Sequence, residues 1–395
     1  MCTLLCDMKR EEEINMKKLS TVLFLIILIM VTCFSSAFAQ VNTVDTVINT
    51  PYEYPVTPYD EEWSMFTSKE EMIEACQIPE NILYRMSTEA LLETVLNYPF
   101  IIEYFAYNNY SDAAEKFIRT FNGFKELYSR NDLTEVLLSF YANSTPMTVN
   151  EYNAYGINPN SDSFASSIYA EEICTAFFNT SHLEFLIAYD QIINDNYTVE
   201  EAETFDNLLL EKINLRNANE LYTDMSETYV ECMVQEAPAA TFSAGSNVTV
   251  STVTTPAGTK VEVLSFSPDY SSEEKAAMNT QNENLYPTAQ RMSSATIHYN
   301  CHSYAWYSQA TSNRYWMNGP SAAKYTTDGS YTLETSLLPS IGMKVFYMSD
   351  DHSAIVKHTT SATNVTFISK WGRAGVYIHN KLYSPYDASS LRYFS

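Results

Sequence analysis

Positive charge is the first thing this chain lacks. Lys and Arg number 23 against 48 Asp and Glu, a formal net charge of −25 over 395 residues. That argues against nucleic-acid binding, which needs a basic face. It also disfavours long-range attraction to an anionic cell wall. Long apolar runs are missing beyond the N-terminus, so no internal stretch can span a bilayer. Cysteine is sparse, seven in all, and its spacing matches neither a zinc site nor a disulfide framework. No metal and no cofactor is called for. Glycine is scarce at nine, and six of these lie beyond residue 257. What the chain has in quantity is aromatic side chains, 14% of the total with 30 Tyr, within a globular hydrophobic fraction of 46%. Its length allows two or three domains.

The N-terminus reads as an export signal over residues 1–39. Met16-Lys17-Lys18 supplies the positive region, Val22 to Val31 the apolar region, and Ala37-Phe38-Ala39 a small-x-small cleavage site before Gln40. The acidic Glu11-Glu12-Glu13 is unlike a signal and points to Met16 as the true start. The mature protein is then secreted or held at the cell surface, with no membrane contact after cleavage; the alternative is a retained membrane anchor. Four cysteines survive cleavage: Cys76, Cys174, Cys232 and Cys301.

Residues 40–65 carry no sustained period and read as a linker. Residues 66–235 read as an all-α domain. Ser68-x-x-Glu71, Asp112-x-x-Glu115 and Thr198-x-x-Glu201 each offer a helix cap with a reciprocal Glu. Leu91, Leu92, Val95 and Leu96 share one helical face, as do Ala202, Phe205, Leu209 and Ile213. Tyr98-Pro99 should end or kink a helix, and the polar Asn143–Ser167 stretch reads as a loop. Residues 236–284 form a hairpin and linker. Val248 to Val253 alternates with period two, Thr255-Pro256-Ala257-Gly258 turns, and Val261 to Leu264 alternates again. Ser271-x-x-Glu274 caps a further helix. Residues 285–395 are expected to form a separate α+β domain.

Chemistry concentrates in that last part. Tyr304, Ala305 and Trp306 follow Cys301 at helical spacing. The sulfur should therefore sit in a first helical turn, where the dipole lowers a thiol pKa and free N–H groups can hold an oxyanion. Gly342 to Tyr347 reads as a strand, Ser349-Asp350-Asp351 as a turn, and His352 to His358 as the next strand. A second turn leads to a strand over Asn364 to Ser369. Folding this hairpin symmetrically about Ser361 brings Ser369 or Lys370 opposite His352. Serine can accept a hydrogen bond from an imidazole and lysine cannot, so Ser369 is the expected orienter. His302 lies beside the sulfur and could bind substrate or tune the thiol. Asp351 could raise the pKa of His352. Trp306 and Trp371 are candidate cleft residues, with aromatic core packing the competing expectation.

The order Cys at a helix start, His about fifty residues later at a strand start, and a polar residue on the following strand resembles the papain-fold cell-wall cysteine peptidases and amidases. Asn300-Cys301, Tyr304-Ala305-Trp306 and His352-Ser353-Ala354-Ile355-Val356 are similar to motifs of the NlpC and CHAP branches. The resemblance covers roughly residues 285–395 and leaves the helical half unexplained. It implies a papain-like domain with a Cys-bearing helix packed on an antiparallel sheet. Cys301 would be the nucleophile, His352 the base, and peptidoglycan or another peptide the substrate. Ser369 departs from the His, Asn, Gln, Asp or Glu usual at the third position. Two rival readings follow: a non-catalytic surface binding or adhesion protein on a disused peptidase fold, and a secreted effector acting on a host protein.

Overall fold

The computed structural model describes residues 46–147, 151, 154–155, 170–193, 198–218, 248–267, 269–335, 338–361 and 364–395. The expected signal segment, Cys232, the end of the helical half and most of the expected Asn143–Ser167 loop lie outside the described residues. The chain is mixed α and β, with its helices mainly in the N-terminal half and its strands in the C-terminal part.

The helices of the N-terminal half are α1 (Lys69–Ala75), α2 (Glu80–Leu83), α3 (Thr88–Leu96), α4 (Tyr110–Thr120), α5 (Asn122–Leu127), α6 (Leu133–Asn143), α7 (Ala170–Ile193) and α8 (Val199–Ala218). Ser68 caps α1 by accepting from the Glu71 N–H at 3.3 Å. Thr198 and Glu201 form the full reciprocal pair at the start of α8. The Asp112 cap is corrected. Helix α4 starts earlier, where Asn109 Oδ1 accepts from the Asp112 N–H at 2.8 Å and Asn109 Nδ2 donates to Asp112 Oδ2 at 2.8 Å. The physical reason is the buried face Tyr110, Ala113, Ala114 and Phe117, which already begins before Asp112. Helix α3 stops at Leu96, ahead of Pro99, and buries Leu91, Leu92 and Val95 completely. Each such side chain contributes about 1.5–3 kcal/mol.

The described part of the expected linker, residues 46–65, is packed rather than free. Ile48 bridges to Met86, and the Tyr52 N–H donates to Thr94 Oγ1 at 2.9 Å. Trp63 is fully buried, its Nε1 donating to the Leu285 carbonyl at 3.0 Å. Large aromatic side chains drive this segment into the core although it has no helical or strand period.

Strands β1 (Val248–Thr254) and β2 (Lys260–Phe266) form the expected hairpin, in register from Val248↔Phe266 to Thr254↔Lys260. Its turn uses Gly258 at a φ of 92°, a conformation open to glycine. Helix α9 (Ser272–Leu285) opens with a complete Ser271–Glu274 capping box. There follow β3 (Gln290–Ser293), a short π-helical turn (Ser303–Tyr307) begun by Cys301 and His302, and α10 (Gly319–Thr327). Strands β4 (Leu333–Glu334), β5 (Lys344–Tyr347), β6 (His352–Thr359), β7 (Val365–Lys370), β8 (Val376–Asn380) and β9 (Leu391–Phe394) complete the chain. Seven strands pair antiparallel in the order β3-β8-β7-β6-β5-β9-β4.

Helices and sheet share one hydrophobic core that runs from Trp63 and Phe117 to Phe367 and Trp371. The joint is the 3₁₀ turn Ile101–Ala106. Within it Glu103 accepts from the buried Lys69 ammonium at 2.8 Å and from the Tyr286 hydroxyl. Lys69 also donates to the Pro385 carbonyl at 2.7 Å, so two distant loops are pinned beside the sheet.

Candidate active site

The Cys301 turn packs against β5, β6 and β7 and is held in place by hydrogen bonds at both ends. Asn300 Oδ1 accepts from the N–H groups of Ser303 and Met317, both at 3.1 Å, while its Nδ2 donates to Met317 O at 2.7 Å. Asn300 therefore stitches the turn to the chain ahead of α10. The turn ends with Ser308 N–H donating five residues back to Ser303 O.

Cys301 is fully buried. Its Sγ lies 3.9 Å from the Asp351 carbonyl oxygen and 3.9 Å from both terminal atoms of the Asn108 side chain. Burial, then the Asp351 carboxylate, push the thiol pKa up to about 12. Backbone N–H groups of Ser353 and His302 and the Asn108 side chain pull the other way. The helix-start expectation of a lowered thiol pKa is thereby corrected: a short, dry turn loses more to desolvation than its free N–H groups return.

His352 opens β6, as expected, and is also fully buried. Its ring stacks on Tyr386, centroids 3.4 Å apart at 11°, and meets the edge of Tyr347 at 4.8 Å. Neither ring nitrogen has a hydrogen-bond partner among the described residues. Burial holds its pKa well below the usual imidazole range, with His379 and His302 adding to the shift. Cys301 and the head of the His352 strand are thus brought together, but no thiol–imidazole hydrogen bond is made.

Ser369 does not orient His352. Its hydroxyl pairs with His379 Nε2 at 2.9 Å, and His379 Nδ1 lies 3.0 Å from Asn380 O. The reason is register. Strand β6 pairs with β7 as Ile355↔Ile368 after a bulge between Val356 and His358. Continued, that register brings Ser369 opposite Ala354 and Trp371 opposite His352. Lys370 is fully buried too, its ammonium donating to the carbonyls of Thr296 (3.0 Å), Gly372 (2.7 Å) and Ala374 (2.5 Å). It clamps the chain leading to Cys301 onto the turn after β7.

His302 does bear on the thiol, through Asp351. Its Nε2 lies 2.8 Å from Asp351 Oδ1 and its Nδ1 lies 2.8 Å from Ser353 Oγ, which accepts from Trp306 Nε1 at 2.8 Å. Asn108 Nδ2 completes the chain by donating to Asp351 Oδ2 at 2.7 Å and to Asp351 O at 2.9 Å. Burial raises the Asp351 carboxyl, but His302 and Asn108 outweigh it and hold the group below the usual carboxylate range. Asp351 therefore serves His302, not His352. Trp306 and Trp371 take the core alternative. They are 3% and 0% exposed, the first against Phe346 and the second stacked on Tyr377 at 4.1 Å.

Two site residues escaped sequence reasoning. Asn108 comes from the helical half, 193 positions from Cys301, and carries no local motif. Tyr386 sits among the last ten residues in an irregular stretch. A cavity of about 280 Å³ lies elsewhere, between the Pro51–Tyr59 arm and helices α3 and α7, and neither Cys301 nor His352 borders it. Among the described residues no group of three His, Cys, Asp or Glu could hold a metal ion, and no helix is long and apolar enough to cross a membrane. Comparison with known proteins returns no matching family model, no matching curated protein and no matching solved structure.

Proposed function

We propose that this protein is an exported thiol hydrolase that cleaves an amide bond, with peptidoglycan peptides as the substrate class. The observation that carries the reading is the meeting of the Cys301 thiol with the head of the His352 strand, the sulfur also ringed by the N–H groups of His302 and Ser353. In the reaction His352 takes the thiol proton and the sulfur attacks the carbonyl carbon. N–H donors beside the sulfur hold the oxyanion. His352 returns the proton to the leaving amine as the C–N bond breaks, and water then hydrolyses the thioester. The neutral, unbonded pair described above is the resting arrangement.

A second reading, a non-catalytic binding protein, draws support from the complete burial of Cys301 and the missing thiol–imidazole bond. One experiment separates them. Mature protein is incubated with cross-linked and linear stem peptides, and new amines are counted for the wild type, Cys301→Ala and His352→Ala. Turnover in the wild type that both substitutions abolish, with melting unchanged, supports the hydrolase. Turnover retained by Cys301→Ala sinks the mechanism. No turnover on either substrate gives the binding reading precedence.

A further inference from the structure

Cys301 and His352 are buried although the sheet half alone would leave the sulfur its donor set. The backbone N–H groups of His302 and Ser353 and the carbonyl of Asp351 all come from that half. The strip that closes over them comes from far upstream: Glu103–Asn108, every residue of it buried. It is tied down along its length. Glu103 holds the Lys69 ammonium and the Tyr286 hydroxyl. Tyr104 O accepts from Arg373 Nη2 at 3.2 Å and Phe105 O from the Arg373 N–H at 2.8 Å. Ala106 O accepts from the Tyr386 hydroxyl at 2.7 Å, and the Tyr107 hydroxyl donates to Pro385 O at 3.3 Å. Asn108 grips Asp351 and accepts from Asn300 Nδ2 at 2.9 Å. Gly372 lies so close beneath that a Cβ there would run into the carbonyl oxygens of Phe105 and Ala106.

We propose that Glu103–Asn108 is an intramolecular cover that holds the thiol site shut and leaves it as a unit to admit substrate. The proposal rests on reading Cys301 as the nucleophile. Four of these bonds join the strip to irregular segments around Arg373 and Pro385–Tyr386, and the rest tie it to Lys69, Tyr286, Asp351 and Asn300, so it opens as one sub-global unit rather than by local fraying. Opening costs several hydrogen bonds at once, so the closed form dominates and the thiol is reached only through a minor state.

The protein carries its own controls. Cys76 and Cys174 are free and fully buried in the helical half, so they report unfolding of that half. Native, full-length mature protein is labelled with iodoacetamide and each cysteine is followed by mass spectrometry. Cys301 should label ahead of Cys76 and Cys174. Asn108→Ala, which removes both bonds to Asp351, should raise its rate about tenfold or more while theirs stay fixed. Tyr386→Phe keeps the ring on His352, loses only the Ala106 bond, and should give a smaller rise. It serves if Asn108→Ala fails to fold. Labelling of Cys301 in step with Cys76 and Cys174 in wild type and variants overturns the cover. So does fast wild-type labelling that neither substitution alters. If the strip opens but the exposed Cys301 titrates near the ordinary pKa of ~8.5, with or without His352→Ala, the cover stands and the hydrolase reading falls.

Discussion

Asp351→Asn is the sharpest perturbation of the site because it preserves shape and removes only charge. The carboxylate receives His302 Nε2 on one oxygen and Asn108 Nδ2 on the other, at 2.8 and 2.7 Å. An asparagine can accept at one end only. If its oxygen faces Asn108, its amide hydrogens face His302 Nε2, which must then become an acceptor. His302 can comply by moving its proton to Nδ1 and donating to Ser353 Oγ, 2.8 Å away. Ser353 would then accept from both His302 and Trp306, and its own hydrogen would lose its partner. The loss is therefore about one hydrogen bond, on the order of 1–2 kcal/mol. Asp351→Ala leaves donors on both sides unmatched and opens a gap, about 3–5 kcal/mol.

Urea unfolding gives the two free energies, and ¹⁵N spectra of labelled imidazole report which His302 nitrogen carries hydrogen. We expect Nε2–H in the wild type and Nδ1–H in Asp351→Asn. A pH series adds a sign. The folded Asp351 pKa is depressed, so its contribution is present above the unfolded value of ~3.9 and is lost as pH falls through the folded value. Asp351→Asn should flatten that acid limb. An Asn variant as damaged as the Ala variant, or an unchanged His302 tautomer, would refute this hydrogen-bond account.

Two further outcomes follow from the same region. Ser369→Ala should cost about 1–2 kcal/mol, because it strips a buried partner from His379, and should leave the pH profile of Cys301 labelling unmoved. A shift in that profile would restore Ser369 to the His352 side. Lys370→Met should cost about 2–3 kcal/mol in urea unfolding at high pH, since it takes the two N–H donors of the neutral amine from a cage of three carbonyls. Burial pulls the Lys370 ammonium down to about 7, whereas the unfolded chain keeps it near ~10.4 and so binds more protons between these values. Wild-type stability should therefore rise relative to Lys370→Met as pH climbs from ~7 to ~10. A flat difference would show that the carbonyl cage keeps the charge at its ordinary strength.

Local chemistry was legible in the sequence and long-range chemistry was not. The capping boxes at Thr198 and Ser271, the Val248 hairpin and the β6 strand beginning at His352 each depend on a few neighbouring residues, and each is found. Where two residues compete for one role, as Asn109 and Asp112 do, spacing alone chose the wrong cap. The β6–β7 register failed for a similar reason. Thr359 pairs with Val365, two positions beyond where a turn symmetric about Ser361 puts it, and the bulge between Val356 and His358 takes back only one of the two, so His352 faces Trp371 and not the expected orienter. Asn108 was out of reach altogether, because only tertiary packing brings residues 193 positions apart to one sulfur.

The arrangement around His352 also explains why no polar third residue is needed to fix its ring. Tyr386 stacks on one face and Tyr347 closes an edge, so orientation is set by aromatic packing in a chain rich in tyrosine. Packing orients a ring but does not raise its basicity, as a carboxylate or amide acceptor would. The pair must gain its proton affinity from solvation instead. Burial is the largest cause of both displaced pKa values, upward for Cys301 and downward for His352. Lifting Glu103–Asn108 would relax both at once, bringing the thiol down and the imidazole up toward a common range. On the proposed hydrolase reading, the movement that admits a substrate would also ready the pair for proton transfer, and the closed form would keep the thiol inert.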